Sequence, residues 1–371
     1  MERFYFLVLL LFLTACSSEE VPPQASSRSF YMGFTPFPSD FTTEALDLAY
    51  QQIEQHGDMI LHHLDDGVPW DEAYNNTAFP QDVQDNLDER RSKTPSDHKI
   101  FLTATATKQD RKSLAGYWSS ESNGPLPDFW NDKTHADPEV ITAYINYCSR
   151  LIDFFQPDYF AYGIEINASF EIGSTEYQNY LILADTTYKA LKSAYPELPI
   201  MLTFQTQAFN RTLTQMLTLT EDMLPYSDFM ALSHYPYWLL ETGNTQANPN
   251  DLPSDWLQQF KNLDPTKPFA ISETGYAADD VVLNNFGVNI EANEQWQNQF
   301  VIDYLPQLNE LDAEFVMWFV VQDYDAVWEI FENAGLGEEL KIWKDTGLFE
   351  GDGQARSALQ TWDQWLQLPK N

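Results

Sequence analysis

The chain has 371 residues, of which 43% are hydrophobic and 15% aromatic, so it is long enough to bury a large core. Its 56 acidic residues outnumber its 20 basic residues, which gives a formal net charge of −36. Because phosphate groups are bound by basic surfaces, this charge argues against a nucleic-acid or other anionic-polymer partner and fits a neutral one.

The first residues have the pattern of a signal peptide. Arg3 precedes an apolar run from Phe4 to Leu13, followed by small residues. An apolar run of this length is too short to span a bilayer. Residues 1–15 are therefore predicted to be a signal sequence that is removed from the mature protein.

The end of this signal resembles the lipobox of bacterial lipoproteins, because residues 13–16 read Leu-Thr-Ala-Cys. The resemblance implies that Cys16 is lipidated and anchors an extracytoplasmic protein to a membrane. Ser17 after the cysteine favours the bacterial outer membrane. The alternative is ordinary signal cleavage beside an incidental cysteine. Residues 16–28 are small, polar and proline-containing, which predicts a flexible tether.

From Phe30 onward, short apolar runs alternate with longer amphipathic runs, which predicts βα units and a parallel sheet. The runs with strand character are 30–34, 59–64, 100–105, 159–166, 200–204, 229–234, 269–273 and 315–320. The runs with helical periodicity are 42–55, 82–91, 138–155, 176–194, 212–224, 255–263, 293–311 and 355–366. Eight such units predict an α/β fold, a single (β/α)8 TIM barrel over residues 29–371.

Two predicted connections are unusually long, and both follow strands. Residues 108–136 come after the third strand and residues 322–344 after the eighth. In such a barrel the active site lies at the C-terminal ends of the strands, so these insertions are expected to shape a binding cleft.

Two glutamates end predicted strands. Glu165 closes the fourth run, Tyr-Phe-Ala-Tyr-Gly-Ile-Glu, and Glu273 closes the seventh, Phe-Ala-Ile-Ser-Glu. An unpaired ionised carboxyl is costly to bury, so a carboxyl at such a position is expected to be hydrogen-bonded, neutral or functional. Two of them across one barrel mouth suggest an acid and a nucleophile, although a structural ion pair is the alternative for each.

In these positions the chain resembles the retaining TIM-barrel glycoside hydrolases with catalytic glutamates on strands four and seven, the clan of cellulases, mannanases and galactanases. The resemblance implies a glycosidase acting on a neutral β-linked glycan without a cofactor. It assigns Glu165 as acid/base and Glu273 as nucleophile. A retaining mechanism needs the two carboxyls about 5 to 5.5 Å apart.

The resemblance also implies substrate-binding residues near the strand ends. His234 or Tyr235, at the end of the sixth strand, would orient the nucleophile, and Trp318, in the eighth, would form a floor under the cleaved sugar. The alternatives are a core histidine with satisfied hydrogen bonds, an ordinary tyrosine of the barrel mouth, and a tryptophan that packs in the core. Aromatic residues of the predicted loops could line further sugar sites, or wedge under long loops instead: Trp70, Tyr74, Tyr117, Trp118, Trp130, Trp238, Tyr324 and Trp328.

The chain departs from the clan at two points. Ile164 stands immediately before the acid/base, where the clan has an asparagine, and Asn167 is the candidate to replace it on the same side. Where many members have an arginine on the second strand, this chain has His62 and His63. One of these histidines could substitute for the arginine, with His62 as the candidate substrate contact, and packing is the alternative role.

Metal and redox chemistry have little support in the sequence. The six histidines show no metal-site spacing, and Asp65 with Asp66, or Asp323 with Asp325, are weaker candidates for calcium than for solvated loops. Cys148 falls on an apolar helical face and is predicted to be buried packing. A non-catalytic carbohydrate-binding lipoprotein on a degenerate barrel is the rival hypothesis, and Ile164 is its best argument.

Overall fold

The computed structural model describes residues 25–208, 211–238, 245–335 and 337–371. The predicted signal peptide, the lipidation site Cys16 and most of the tether lie outside these residues. Within them, no helix combines the length and apolar character needed to cross a bilayer.

Parallel strands form a barrel. They are β1 (Tyr31–Phe34), β2 (Met59–Leu64), β3 (Lys99–Ala104), β4 (Tyr159–Ala161), β5 (Ile200–Met201), β6 (Thr203–Gln205), β7 (Met230–His234), β8 (Phe269–Thr274) and β11 (Ala313–Trp318). Between β8 and β11, β9 (Val281–Leu283) and β10 (Val288–Ile290) form a separate small antiparallel hairpin. Their order in the sheet is β5-β4-β3-β2-β1-β11-β8-β7-β6. Because β5 and β6 are one segment interrupted at Leu202, the circle closes with eight strand positions, and the predicted TIM barrel is confirmed.

Helices follow the strands as the amphipathic runs predicted. They are α1 (Thr43–His56), α2 (Trp70–Asn75), α3 (Gln81–Lys93), α4 (Pro138–Phe155), α5 (Thr175–Ala194), α6 (Leu213–Met223), α7 (Trp256–Lys261), α8 (Glu294–Glu310), α9 (Asp325–Asn333) and α10 (Ser357–Leu366). Side-chain caps begin several of them, including a reciprocal capping box of Thr212 and Gln215 on α6. The short helices α2 and α9 were not predicted, because each lies within a stretch read as a loop.

Two apolar layers hold the barrel together, as alternation along the strands requires. A small inner cluster fills the barrel from one face of each strand, with Met59, Phe101, Tyr159 and Phe315 among its members. A much larger cluster lies between the strands and the helices, and Cys148 is buried within it, as expected. Because both layers are apolar, packing does not account for the polar side chains at the C-terminal end of the barrel interior.

The beginning and end of the described chain meet at the lower end of the barrel. The Arg28 guanidinium donates to the carbonyl oxygens of Phe30 and Leu368 and to the carboxylate of Asp58. A backbone bridge between Arg28 and Lys370 joins the two termini. This end lies opposite the C-terminal ends of the strands, where the two glutamates are found.

Candidate active site

The connection after β4 carries Glu165 into the barrel mouth. The strand ends at Ala161, not at residue 166 as predicted, and the chain then turns. Glu165 has a left-handed backbone with φ of 51°, and its amide donates to the Thr203 hydroxyl at 2.9 Å. A non-glycine residue in this conformation is uncommon and is held here by the hydrogen bond from its own backbone. The turn thus places the carboxyl beyond the strand, where it is almost fully buried.

Glu273 lies near the end of β8 and shares the mouth with Glu165. Burial, and after it the charge of Glu165, raise the pKa of Glu273 to about 8. Tyr235 and Arg111 oppose that rise. A carboxyl whose protonation responds to its neighbour in this way belongs to a pair that titrates together.

Arg111 is the cation of this site. Its Nη1 donates to Asp65 at 2.7 Å, while its Nε and Nη2 both donate to one oxygen of Glu165, each at 3.3 Å. The side chains of Arg111 and Glu165 are only 12% and 9% exposed. Burial alone would lower the pKa of Arg111, but the charges of Asp65 and Glu165 outweigh it and raise the pKa above its usual value. The pair is therefore a shielded ion pair rather than a surface contact.

Tyr235, which follows β7, is the predicted orienter that reaches the pair. It is buried, and its pKa is raised well above the usual value by burial and then by the charges of Glu273 and Glu165. Among the described residues, its hydroxyl meets hydrogen-bond geometry with none, so its contact with Glu273 is looser than a hydrogen bond. Catalytic contacts of this kind commonly tighten only when substrate is bound. Gly275 permits the close packing here, because a Cβ atom would lie 2.5 Å from the Phe319 carbonyl oxygen.

The two histidines of β2 face opposite sides of the sheet. His63 points to the mouth, with Nδ1 3.9 Å from the Glu273 carboxylate. His62 instead lies in the helix layer, hydrogen-bonded to the Thr94 hydroxyl and packed on Phe155. Burial lowers the pKa of His62 to about 3 and that of His63 to about 4, so both are neutral at pH 7. The predicted substrate contact His62 is thus placed away from the mouth, and His63 takes its position.

A cavity of about 10 Å³ lies beside Glu273 and fits about one water molecule. Its lining mixes apolar and hydroxyl side chains: Leu61, His63, Thr103, Ile164, Thr203, Ser233, Ser272 and Glu273. Ile164, the residue that departs from the clan, therefore lines the same cavity as Glu273 and is 2% exposed.

Asn167 is placed in the wall of the barrel. It is fully buried, donates to the Gln205 carbonyl and the Thr220 hydroxyl, and accepts from the Gln205 amide. Both amide hydrogens are thus engaged in tying the turn after β4 to the fifth strand position. The structure gives Asn167 a supporting role and no direct path to a bound sugar.

Trp318, the last residue of β11, and Phe319, which follows it, also face opposite sides of the sheet. Trp318 is 1% exposed, donates its indole N–H to the Thr346 carbonyl, and packs against Phe300 and Trp362 in the helix layer. Phe319 is half-buried and packs against Phe37 and Trp343 of the mouth loops. Phe319 therefore lies among aromatic side chains of the loops, whereas Trp318 is part of the core.

His234 and Trp238 also lie in the core. His234 forms a hydrogen bond with the Thr206 hydroxyl and packs edge-on against Trp256 and face-on against Tyr304, and burial lowers its pKa to about 3. Trp238 is 6% exposed. Most of the other predicted loop aromatics are wedges, with Trp70, Trp118, Trp130, Tyr324 and Trp328 each below 9% exposed, whereas Tyr74 is 39% exposed.

The acidic residues considered for calcium are paired with cations. Asp65 accepts from Arg111, Asp323 from Arg356 at 2.7 Å, and Asp325 from Lys344. Over the part of the chain that the structure describes, no group of three metal-ligating side chains comes together.

Three residues of the mouth were missed by sequence reasoning: Arg111, His63 and Phe319. His63 and Phe319 each neighbour the residue that was chosen, and strand boundaries known to within two residues do not decide which of two neighbours faces inward. Arg111 lies inside the insertion after β3. Its charge in an acidic chain was the available signal, but its distance in sequence from both glutamates gave no reason to place it with them.

No protein-family model matches the chain, and no curated protein matches it in sequence. Its fold is similar to that of a GH53 catalytic domain from Ignisphaera aggregans, with 16% identity, 95% of this chain and 98% of that chain covered, and a TM-score of 0.59. A GH5_18 protein from Streptomyces cattleya in complex with GlcNAc is 12% identical over 92% of this chain and 80% of that chain, with a TM-score of 0.59. The exo-beta-1,4-mannosidase Op5Man5 from Opitutaceae bacterium strain TAV5 is 11% identical over 91% of this chain and 59% of that chain, also with a TM-score of 0.59. At these identities the likeness shows the fold, an α/β barrel of the TIM type.

Proposed function

We propose that this protein is a retaining glycoside hydrolase acting on a neutral β-linked oligo- or polysaccharide. One observation carries the proposal: Glu165 and Glu273, from the fourth and seventh strand positions, share a barrel mouth so closely that the charge of Glu165 raises the pKa of Glu273. A buried carboxyl pair is costly to keep unless the chemistry uses it. The fold shared with GH53 and GH5_18 proteins and with a mannosidase supports the same reaction class.

The reaction would proceed by two displacements. The Glu273 carboxylate attacks the anomeric carbon, the glycosidic C–O bond breaks, and Glu165 donates its proton to the departing oxygen. Water then attacks the same carbon while Glu165 takes back a proton, and the bond to Glu273 breaks. In this scheme the Tyr235 hydroxyl would hold the Glu273 carboxylate in line, and Phe319 would contact the apolar face of the sugar.

The charges of the mouth favour a neutral substrate. Arg111 is already paired with Asp65 and Glu165, so it offers no unpaired positive charge to an acidic sugar. The carboxyls of Asp65 and Glu165 already balance that one cation, and Glu273 adds a negative charge when it ionises. An added carboxylate on the substrate would therefore be repelled.

A second candidate is a carbohydrate-binding protein without efficient hydrolysis. The ion pair between Arg111 and Glu165 favours it, because a glutamate held by a cation is a poor proton donor. Ile164 favours it as well, since its side chain cannot hydrogen-bond a sugar.

The deciding experiment is hydrolysis of a panel of neutral polysaccharides and aryl β-glycosides by the wild type, Glu165→Gln, Glu273→Gln and the exposed control Glu221→Gln. We expect both mouth variants to lose at least about 1,000-fold in kcat/KM on the substrate the wild type cleaves, because nucleophile and acid/base act as a unit. The control should keep wild-type activity. Undiminished turnover by Glu273→Gln would contradict the assignment, and glycan binding without turnover by the wild type would establish the second candidate.

We also propose that Cys16 is lipidated and anchors the protein outside the cytoplasm, at the bacterial outer membrane. The proposal rests on the Leu-Thr-Ala-Cys sequence at residues 13–16 and the polar segment after it. Metabolic labelling with palmitate should mark the wild type and leave Cys16→Ala unlabelled. Equal labelling of the two, or none of the wild type, would contradict lipidation.

A further inference from the structure

Aromatic side chains of two neighbouring connections pack together at the C-terminal end of the barrel. One connection is residues 35–42, between β1 and α1, and the other is residues 319–344, after β11. Because β1 and β11 pair in parallel, with Phe34 beside Trp318, the two connections begin side by side. Their aromatic side chains belong to an apolar cluster that is separate from both layers of the barrel, and we call these side chains the rim cluster: Phe37, Phe319, Tyr324, Trp328, Phe331 and Trp343.

The rim cluster is continuous with the candidate active site. The Trp343 ring lies 6.1 Å from the Tyr235 ring and 6.4 Å from the Phe319 ring, measured between centroids. Tyr235 and Phe319 also meet at Gly275, where a Cβ atom would lie 3.2 Å from the Tyr235 ring and 2.5 Å from the Phe319 carbonyl oxygen. Gly275 comes two residues after Glu273. A chain bound at Glu273 would therefore meet the cluster as it leaves the mouth.

The aromatic surface continues outward from Phe319. Phe37 packs edge-on against Phe319, with 5.6 Å between the ring centroids. At the outer edge, Phe41 packs edge-on against Phe331 of α9 at 5.7 Å. The Phe41 side chain is 56% exposed, although the next residue, Thr42, caps α1 and fixes the backbone beside it. Exposed apolar rings that adjoin a cleft are typical of a binding surface.

The size of the exposed surface argues against a second copy of this chain as its occupant. Among the described large apolar side chains of the two connections, Phe41 and Ile330 are exposed, and the rings of the rim cluster are buried or half-buried. Since one aromatic side chain buries about 150–250 Å², the exposed parts amount to roughly 300–500 Å². A stable protein interface needs about 800 Å² on each partner. The surface therefore fits a narrower ligand.

The charge of the two connections favours a neutral ligand. Residues 35–44 and 325–344 hold seven acidic residues and two lysines, and Lys344 is paired with Asp325 and Asp345. An anionic membrane surface attracts basic segments, so it would be repelled here. Carboxylates instead accept hydrogen bonds from hydroxyl groups, and aromatic rings pack on apolar faces. Rings among carboxylates thus match a neutral sugar, which has a C–H face and hydroxyl edges.

We propose that the rim cluster and Phe41 bind the outer sugar units of a neutral glycan chain whose inner units occupy the mouth at Glu165 and Glu273. The inference rests on the proposed function and deepens it, because it makes the substrate a chain several units long rather than a single glycoside. The outer units pack on Phe41 and Phe331. Such contacts are made equally before and during cleavage, so they lower KM for long chains and leave kcat unchanged.

Affinity electrophoresis tests this surface without turnover. The full chain is run through native gels that contain galactan, galactomannan or hydroxyethylcellulose, in a Glu273→Gln background so that the polymer is not cleaved. We expect at least one polymer to retard the protein with the native Phe41, and Phe41→Ala and Phe41→Leu to bind about tenfold more weakly because the ring is lost. Phe41→Tyr keeps the ring and should bind as tightly as the native residue does.

The matched control is Phe129→Ala, since Phe129 lies in the insertion after β3, is 53% exposed and contacts Trp130. It should bind as tightly as the protein with the native residue. Undiminished binding by Phe41→Leu, or no retardation by any of the polymers, would overturn the proposal. Sedimentation velocity and flotation with phosphatidylcholine/phosphatidylglycerol vesicles examine the other occupants. A dimer, or vesicle binding, that is lost in Phe41→Ala would also overturn it.

Kinetics separate this inference from the proposed function. On oligosaccharides of the glycan that the wild type cleaves, kcat/KM should rise from the disaccharide to the hexasaccharide, and Phe41→Ala should lose about tenfold of that rise through KM. A wild-type kcat/KM that does not depend on chain length would overturn the inference and leave the proposed function standing. Ring-dependent binding without cleavage of any glycan would support the rim surface and contradict the proposed function.

Discussion

At the scale of single residues, neighbours in sequence have different tasks because side chains alternate across each strand. His63 and Phe319 face the mouth, while His62 and Trp318 pack against helices. Under the proposed function, the residue facing the mouth would contact the substrate, and its neighbour would contribute to stability. Substitutions at adjacent positions should therefore have separable effects.

Trp318 and Phe319 provide the sharpest test of this division. Trp318→Ala should lower the free energy of unfolding by about 3–5 kcal/mol, because it removes a fully buried ring and leaves a cavity. Phe319→Ala should cost much less stability and instead raise KM for the glycan. Urea denaturation and steady-state kinetics on both variants measure the two effects. A large rise in KM with unchanged stability for Trp318→Ala would reverse the assignment.

At the scale of elements, the insertion after β3 is a structured part of the site. Its strands pair through isolated bridges between Thr107 and Leu114 and between Tyr117 and Gly124, and Val68 bridges to Tyr117 across the mouth. These contacts give the insertion a defined path over β2 and β3. The position of Arg111 depends on that path.

Gly116 is the point where the insertion passes closest to itself. A Cβ atom at this residue would lie 2.5 Å from the Asn123 carbonyl carbon, so Gly116→Ala must shift backbone. We expect a loss of about 1–3 kcal/mol in stability, as in other overpacked sites.

The control for this variant is Ser120→Ala, an exposed position of the same insertion. It should leave the stability unchanged. A Gly116→Ala protein with wild-type stability would show that the insertion adapts locally to the added methyl group.

At the scale of the whole molecule, buried titratable groups should set the pH dependence of stability. Burial lowers the pKa of His62 and His234 to about 3 and of His63 and His135 to about 4. Each is protonated more readily in the unfolded chain, so stability is lost as pH falls below about 6.5. Burial raises the pKa of Glu273 to about 8, so the folded state holds that proton longer and stability falls as pH rises from about 4.5 to 8.

These opposing slopes predict maximum stability near pH 6.5. Between about pH 4.5 and 6.5 the four histidines outweigh Glu273 and Asp323, whose pKa burial raises to about 7. Above about pH 6.5 the two carboxyls outweigh the histidines, at up to about 1.4 kcal/mol for each pH unit and group. Urea unfolding from pH 5 to 9 measures the curve, in about 1 M salt to screen the repulsion of a chain with net charge −36. Glu273→Gln should flatten the decline above pH 6.5. A wild-type stability that rises between pH 6.5 and 8 would contradict the prediction.

The sequence by itself determined the barrel, because the alternation of apolar strands and amphipathic helices is a local property repeated along the chain. Seven of the predicted strands end within two residues of those in the structure, while the fourth ends at Ala161 instead of residue 166. The sequence also singled out Glu165 and Glu273, since carboxyls at the ends of apolar runs are conspicuous; their catalytic roles stay predictions. Tyr235, likewise named from the sequence, lies beside Glu273.

Only the tertiary structure decided which neighbours face the mouth and which cation joins the glutamates. The first depends on register, where a shift of one residue exchanges the two faces of a strand. The second depends on a contact between residues 54 positions apart, Arg111 and Glu165, made by an insertion whose path no local pattern specifies. Asn167 shows the same limit: its spacing from Glu165 was read from the sequence, but the turn after β4 ended the alternation and sent its amide into the wall of the barrel.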